Sequence, residues 1–398
     1  MTLASADDRM SVTRLMDDAT IASGLADWGE HSFSATLELL VESCRATAEL
    51  TPAGWGLLRK VAVRHLRNQL YLQAFLTAHP GTAGQQIVSP VIITGLPRTG
   101  TTMLHNLLTL DPDNRVLRFW EGLHPVPVGS DGEAVEALVR QAETWLERLY
   151  TMTPAFRAIH YSTARGPEEC DALLQNSFAS QHFDDMFRAE EYSQWLNHSD
   201  LVDEYEYYKL QLQALATTDE RPRRWVLKSP SHLGYLDAVL GTFPDAFVVH
   251  CHRRPAEAIA SYASLVQAVR APHTERVSPR DIGRHALRRS SIAVGRALRA
   301  REQRNGDQFL DVAYTKLVSD PFGAVVDLYD RLGRPLVPAT AAAMGRWLTE
   351  NPQAHRGRHH YALDQFGLSS TEVARCMADY CERFGAELGG PTEAFRRG

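Results

Sequence analysis

Arg98, Thr99, Gly100, Thr101 and Thr102 follow a β-branched run at Val91, Ile92 and Ile93. They precede Met103, Leu104, Leu107 and Leu108, which recur at helical spacing. Strand, tight loop and helix in that order turn several backbone N–H groups and a helix N-terminus toward one point, an arrangement suited to phosphate or sulfate. Gly95 and Gly100 keep the glycine spacing of the G-x-x-x-x-G-K-[ST] phosphate loop. Thr101, however, stands in the lysine's place, and the cation lies inside the loop as Arg98. The threonine hydroxyls and a bidentate guanidinium suit an anion, and the missing lysine argues against the usual handling of Mg-ATP.

Two further cationic stretches follow predicted strands. Lys228, at the end of Arg224–Lys228, stands where a cation can meet negative charge developing on a leaving oxygen, although alone it reads equally as a strand-end lysine in water. Arg253 follows the strand 246–251, with Ser261 two helical turns beyond it; alone, this is a solvated basic turn. Tyr314 closes a strand predicted over 308–313.

Taken together these motifs resemble the PAPS-dependent sulfotransferases, closest to bacterial members with a long helical insertion, over roughly residues 88–362. The resemblance implies that the Pro97–Thr102 loop binds the 5′-phosphosulfate of 3′-phosphoadenylyl sulfate (PAPS). It implies that Arg253 and Ser261, eight positions apart (261 − 253), bind the 3′-phosphate, and that Tyr314 lies near the adenine. Arg356 and Gly357 are similar to the family's C-terminal basic-Gly loop. The implied reaction is in-line transfer of a sulfuryl group to a hydroxyl or amine of a small-molecule, lipid or glycoside acceptor. It releases adenosine 3′,5′-bisphosphate (PAP) and needs no metal. Sulfation that activates a hydroxyl for elimination or ring closure is a variant of the same reading. Two departures stand out: Met103 replaces the tryptophan of many cytosolic aryl enzymes, and the Lys-x-His of those enzymes is stretched to Lys228-Ser-Pro-Ser-His232.

The general base stays open among Glu121, His232 and His124. Glu121 lies 23 residues past Arg98 (121 − 98), where related enzymes with an arginine in the loop keep a catalytic glutamate. Glu168 and Glu169 read as structural, opening a helix whose dipole favours carboxylates. His355, His359 and His360 lack supporting ligand spacing, so no metal site is expected. The arginines from Arg270 to Arg304 read as the solvated face of one helix, and Tyr205, Tyr207 and Tyr208 as packing of the insertion. Phe119, Trp120, Phe183 and Trp195 hint at a sizeable, partly apolar acceptor.

The elements that must position these groups form an α/β chain, a P-loop-like parallel sheet flanked by helices. Residues 1–87 are expected to be an N-terminal helical subdomain, weakly patterned up to residue 30 and then a hairpin over 35–50 and 54–78. Residues 88–398 form the α/β domain, with 130–220 a helical insertion containing helices at 133–150, 168–182 and 200–216. Later helices are expected at 231–242, 256–269, 279–304, 321–332, 339–349 and 370–388. Parallel sheets bind ligands beyond the carboxyl ends of their strands, where Arg98, Lys228, Arg253 and Tyr314 all fall.

At 398 residues, with 44% hydrophobic and 23% charged residues, the chain is ordinary for a globular protein, and its net charge of -6 argues against a general nucleic-acid binder. Five scattered cysteines without a C-x-x-C pair, and an acidic N-terminus without a leader pattern, suggest a soluble cytoplasmic protein with reduced thiols. No run is long enough to span a membrane, and a homodimer stays open. The rival readings are a P-loop small-molecule kinase using ATP, and a catalytically silent nucleotide-binding protein of the same fold.

Overall fold

The computed structural model describes residues 10–31, 33–127, 132–153, 157, 161–351 and 362–389. Arg356 and Gly357, and the three histidines beside them, lie outside the described residues.

Five strands form one sheet in the order β2-β3-β1-β4-β5: β1 Val91–Gly95, β2 Asn114–Arg115, β3 Arg224–Lys228, β4 Phe247–His252 and β5 Phe309–Ala313. Every pairing is parallel. β1 is buried throughout, as expected of a strand covered by helices on both faces. The register sets Lys228 beside Ile93 and Gly95 beside Cys251, so the ends of β3, β1 and β4 share one edge. The helix Thr101–Leu108 leaves β1, and Pro255–Arg270 leaves β4.

One apolar core joins the N-terminal helices to the sheet and the insertion, through Leu15, Leu37, Leu58 and Leu66 on one side and Ile92, Leu227, Val248 and Tyr205 on the other. The stretch expected to lack pattern holds a helix, Val12–Ser23, that buries Leu15 and Ala19 and is capped by Ser11 and left-handed Gly24. The helix expected over 168–182 is broken into Asp171–Leu174, a 3₁₀ turn Gln175–Ser177 and Gln181–Phe187, because Phe178 adopts a left-handed φ of 58°. A helix Glu190–His198 follows that the sequence did not signal, and the C-terminal helix is split into Ser370–Cys376 and Ala378–Arg383. Among the described residues no helix is long and apolar enough to cross a membrane.

Candidate functional site

The loop after β1 is shaped by three left-handed or near-extended residues. Gly95 has φ 152°, and a Cβ there would lie 2.4 Å from the Cys251 carbonyl oxygen. Arg98 (φ 73°) and Gly100 (φ 91°) turn the chain into the helix Thr101–Leu108. A left-handed arginine costs about 1–3 kcal/mol and survives only where surrounding structure fixes it. Two contacts fix it here. Arg98 Nε donates to Ser261 Oγ at 3.2 Å, and Arg253 Nη1 donates to the Arg98 carbonyl at 3.0 Å. The Arg253 guanidinium also lies over the Tyr314 ring, 4.3 Å from its centroid, and a Cβ on Gly100 would come within 3.2 Å of that ring.

Arg98, Gly100, Arg253, Ser261 and Tyr314, drawn from three parts of the chain, thus meet at one edge of the sheet. Their polar groups can donate to an anion: two guanidinium forks, a serine hydroxyl and the Thr101 and Thr102 amides that open the Thr101–Leu108 helix. Thr102 is half-buried beside them, while Thr101 is buried. Thr99 is fully buried, and its hydroxyl donates to the Leu96 carbonyl at 2.8 Å, so that side chain shapes the loop. Glu257 accepts from Arg253 Nε at 3.1 Å, one helical turn along. The donor set fits a nucleotide carrying two separate anionic groups.

Lys228 lies next to this loop. Ser229 N–H donates to the Ile93 carbonyl at 3.2 Å, and Thr94 Oγ1 to the Ser229 carbonyl at 2.9 Å, stitching the end of β3 to the start of the loop. The Lys228 ammonium is buried and paired with Glu169. Glu168 and Glu169 do not open a helix: the helix begins at Asp171. Burial holds the Glu168 carboxyl up at about 7, although it accepts from the Glu169 N–H at 2.7 Å.

Glu121 is held elsewhere. Arg115 grips both its oxygens at 2.7 and 2.9 Å, and the Arg118 N–H donates to it at 2.8 Å, closing a capping box on the helix Phe119–Leu123. Both members of that pair are buried, so the carboxylate is occupied as a fold-holding acceptor. His232 is also buried; its Nδ1 is hydrogen bonded to the Tyr205 hydroxyl at 2.8 Å, and burial pushes its pKa down to about 3. His124 is lowered to about 4, chiefly by burial. Phe183 is buried in the central core and stacks on Phe178, and Trp195 packs against the same core. Phe119 and Trp120 instead join Leu146 and Tyr150 in a separate apolar cluster under the half-exposed Trp145.

The arginine-rich helix, now Pro279–Glu302, is less solvated than its sequence suggests. Arg289 pairs with Asp185, and Arg301 grips Asp311 at 2.7 and 2.8 Å. His250, His252 and Asp311 place ligand atoms within 4.8 Å of one another. The Arg301 guanidinium occupies that carboxylate, and its charge opposes a cation there. His252 instead links Asp311 (2.8 Å) to the Tyr380 hydroxyl (2.9 Å), one residue before Arg253.

A family model described as Sulfotransferase family matches residues 90–338. The sulfotransferase STF1 of Mycobacterium tuberculosis H37Rv is 32% identical, with a TM-score of 0.82, the match covering 93% of this chain and 100% of that one. STF9 of Mycobacterium avium is 29% identical with a TM-score of 0.85, covering 96% and 99%. The omega-hydroxy-beta-dihydromenaquinone-9 sulfotransferase Stf3 of Mycobacterium bovis is 25% identical over 313 residues, 77% of each chain.

Proposed function

The chain belongs to the sulfotransferase family, and on that premise we propose that it uses PAPS as donor and sulfates a hydroxyl on an acceptor with an apolar body. The observation that carries the donor is the joining of the two anion motifs, Arg253 to the Arg98 carbonyl and Arg98 to Ser261. Two donor clusters in contact suit a nucleotide with a phosphosulfate at one end and a 3′-phosphate at the other.

When bound, PAPS supplies the sulfuryl group. In this reading Arg98 and the amides of Thr101 and Thr102 neutralise the phosphosulfate oxygens, by analogy with phosphoryl transfer. Arg253 and Ser261 hold the 3′-phosphate, and Tyr314 faces the adenine. Lys228 offsets charge on the leaving oxygen. The acceptor's apolar body is supported by Phe119, Tyr150 and the exposed Trp145 and Tyr161, and by the quinone-derived acceptor in the name of the Mycobacterium bovis relative.

The direct test is thermal shift with PAP, AMP and ATP. A ligand that binds only the folded state raises the unfolding midpoint. PAP is expected to give the largest shift. A chain stabilised equally by AMP, or more by ATP, overturns the donor assignment, and phosphoryl transfer from Mg-ATP would mark a kinase instead.

A further inference from the structure

We propose that Glu169 is the general base that takes the acceptor's proton, acting beside Lys228; this rests on the sulfuryl-transfer reading above. The Lys228–Glu169 pair stands at the end of β3, next to the strand that feeds the anion loop. Its two members are unequally exposed. The lysine side chain is 2% accessible and the glutamate side chain 25%, so the glutamate is the member open to a bound acceptor.

Its backbone is anchored on both sides. The Glu168 N–H donates to the Leu117 carbonyl at 2.8 Å, and the Cys170 N–H donates to the Lys228 carbonyl at 2.9 Å. Asp171, one residue further, is bonded to Ser229 and accepts from Ser180 Oγ at 3.0 Å. A carboxylate fixed this way needs little reorganisation during proton transfer. The alternative bases are enclosed: Glu121 is buried in the grip of Arg115 and His232 is buried under Tyr205, whereas the Glu169 side chain, though paired with Lys228, is a quarter accessible.

Glu169 accepts the proton as the acceptor oxygen bonds to sulfur, and the electron pair of the broken sulfur–oxygen bond leaves on the 5′-phosphate, beside Lys228. The proton then passes to water. Charged and titratable groups facing Glu169 are Lys228, Glu168 and Asp171, with the neutral rings of His105 and His232 within electrostatic reach.

The test compares the wild type with Glu169→Gln, Glu169→Asp and Lys228→Met. One readout is PAP affinity by calorimetry. The other is PAP release from PAPS, with water and phenol as acceptor probes, between pH 5 and 9. Glu169→Gln is expected to keep PAP affinity within about threefold while lowering release about 10²–10⁴-fold. Glu169→Asp should recover part of the rate, and Lys228→Met should also lower release, through the lost cation beside the leaving oxygen. Release within fivefold of wild type, loss of release in step with PAP affinity, or no release at all from wild type despite PAPS binding each overturns the assignment. A wild type that does not prefer PAP to AMP overturns the donor reading instead.

Discussion

Arg253 Nη1 donates to the backbone carbonyl of Arg98 at 3.0 Å, across 155 positions of sequence, while its guanidinium plane covers Tyr314. The contact makes one arginine both a ligand candidate and a brace for the left-handed residue 98. Arg253→Ala is therefore expected to weaken PAP binding by more than tenfold, on the order of 1.4 kcal/mol or more. AMP binding should weaken much less. Calorimetry with both nucleotides measures the ratio, and an unchanged PAP affinity would remove Arg253 from the nucleotide site.

Glu121 and Arg115 form a buried bidentate pair that Asp219 extends, 3.2 Å from Arg115 Nε. Removing one partner strands the other charge, which costs about 3–5 kcal/mol. Glu121→Ala should lower the urea unfolding midpoint clearly, and Glu121→Gln should do so less. A catalytic Glu121 would show the reverse pattern: Glu121→Gln fully stable but without turnover.

The sheet, and the residues that meet at its edge to form the candidate site, were legible in sequence because their signals are local. β1, β3 and β4 carry short apolar runs that end at or just before Gly95, Lys228 and Arg253, β5 runs into Tyr314, and the loop residues are contiguous. What escaped depends on pairing at a distance. Lys228 meets Glu169 across 59 positions, and Arg115 reads as an ordinary charge until Asp219, 104 positions on, joins it to the Glu121 pair. β2 is two residues long and carries no periodicity. The broken helix after residue 170 turns on left-handed Phe178, a residue type with no preference for that conformation.

Acid should destabilise the fold. Burial pushes His105 and His232 down to about 3, and lowers His65 and His250 as well. Their unfolded value is about 6.5, so below it the unfolded chain binds protons that the folded chain refuses. At pH 5 each of the first two contributes a loss of at most roughly 2 kcal/mol. Glu168 works oppositely: held up at about 7, it gains a proton on acidification and relieves its own burial. Burial raises the Asp171 and Glu204 carboxyls too, but lowers His124 to about 4, and the buried histidines outweigh the carboxyls, so the unfolding midpoint is expected to fall between pH 7.5 and 5, with a shallower slope in His105→Gln. A midpoint that holds or rises over that range contradicts the burial of neutral rings.

Gly100 joins the two conditions that exclude a side chain. Its φ of 91° is strained for any L-residue, and a Cβ would lie 3.0 Å from Leu317 Cδ1 and 3.2 Å from Tyr314 Cδ2. Relief must come from the Tyr314–Ser319 helix moving away or from the loop flattening, and either shift separates Tyr314 from Arg253. The strain alone is worth about 1–2 kcal/mol. Gly100→Ala should therefore lower the unfolding midpoint modestly while weakening PAP binding about tenfold, a larger effect than the same substitution at open Gly345. Calorimetry on the two variants decides: equal PAP affinities would mean that the loop tolerates the methyl group and that the packing of Tyr314 against Gly100 does not shape the site.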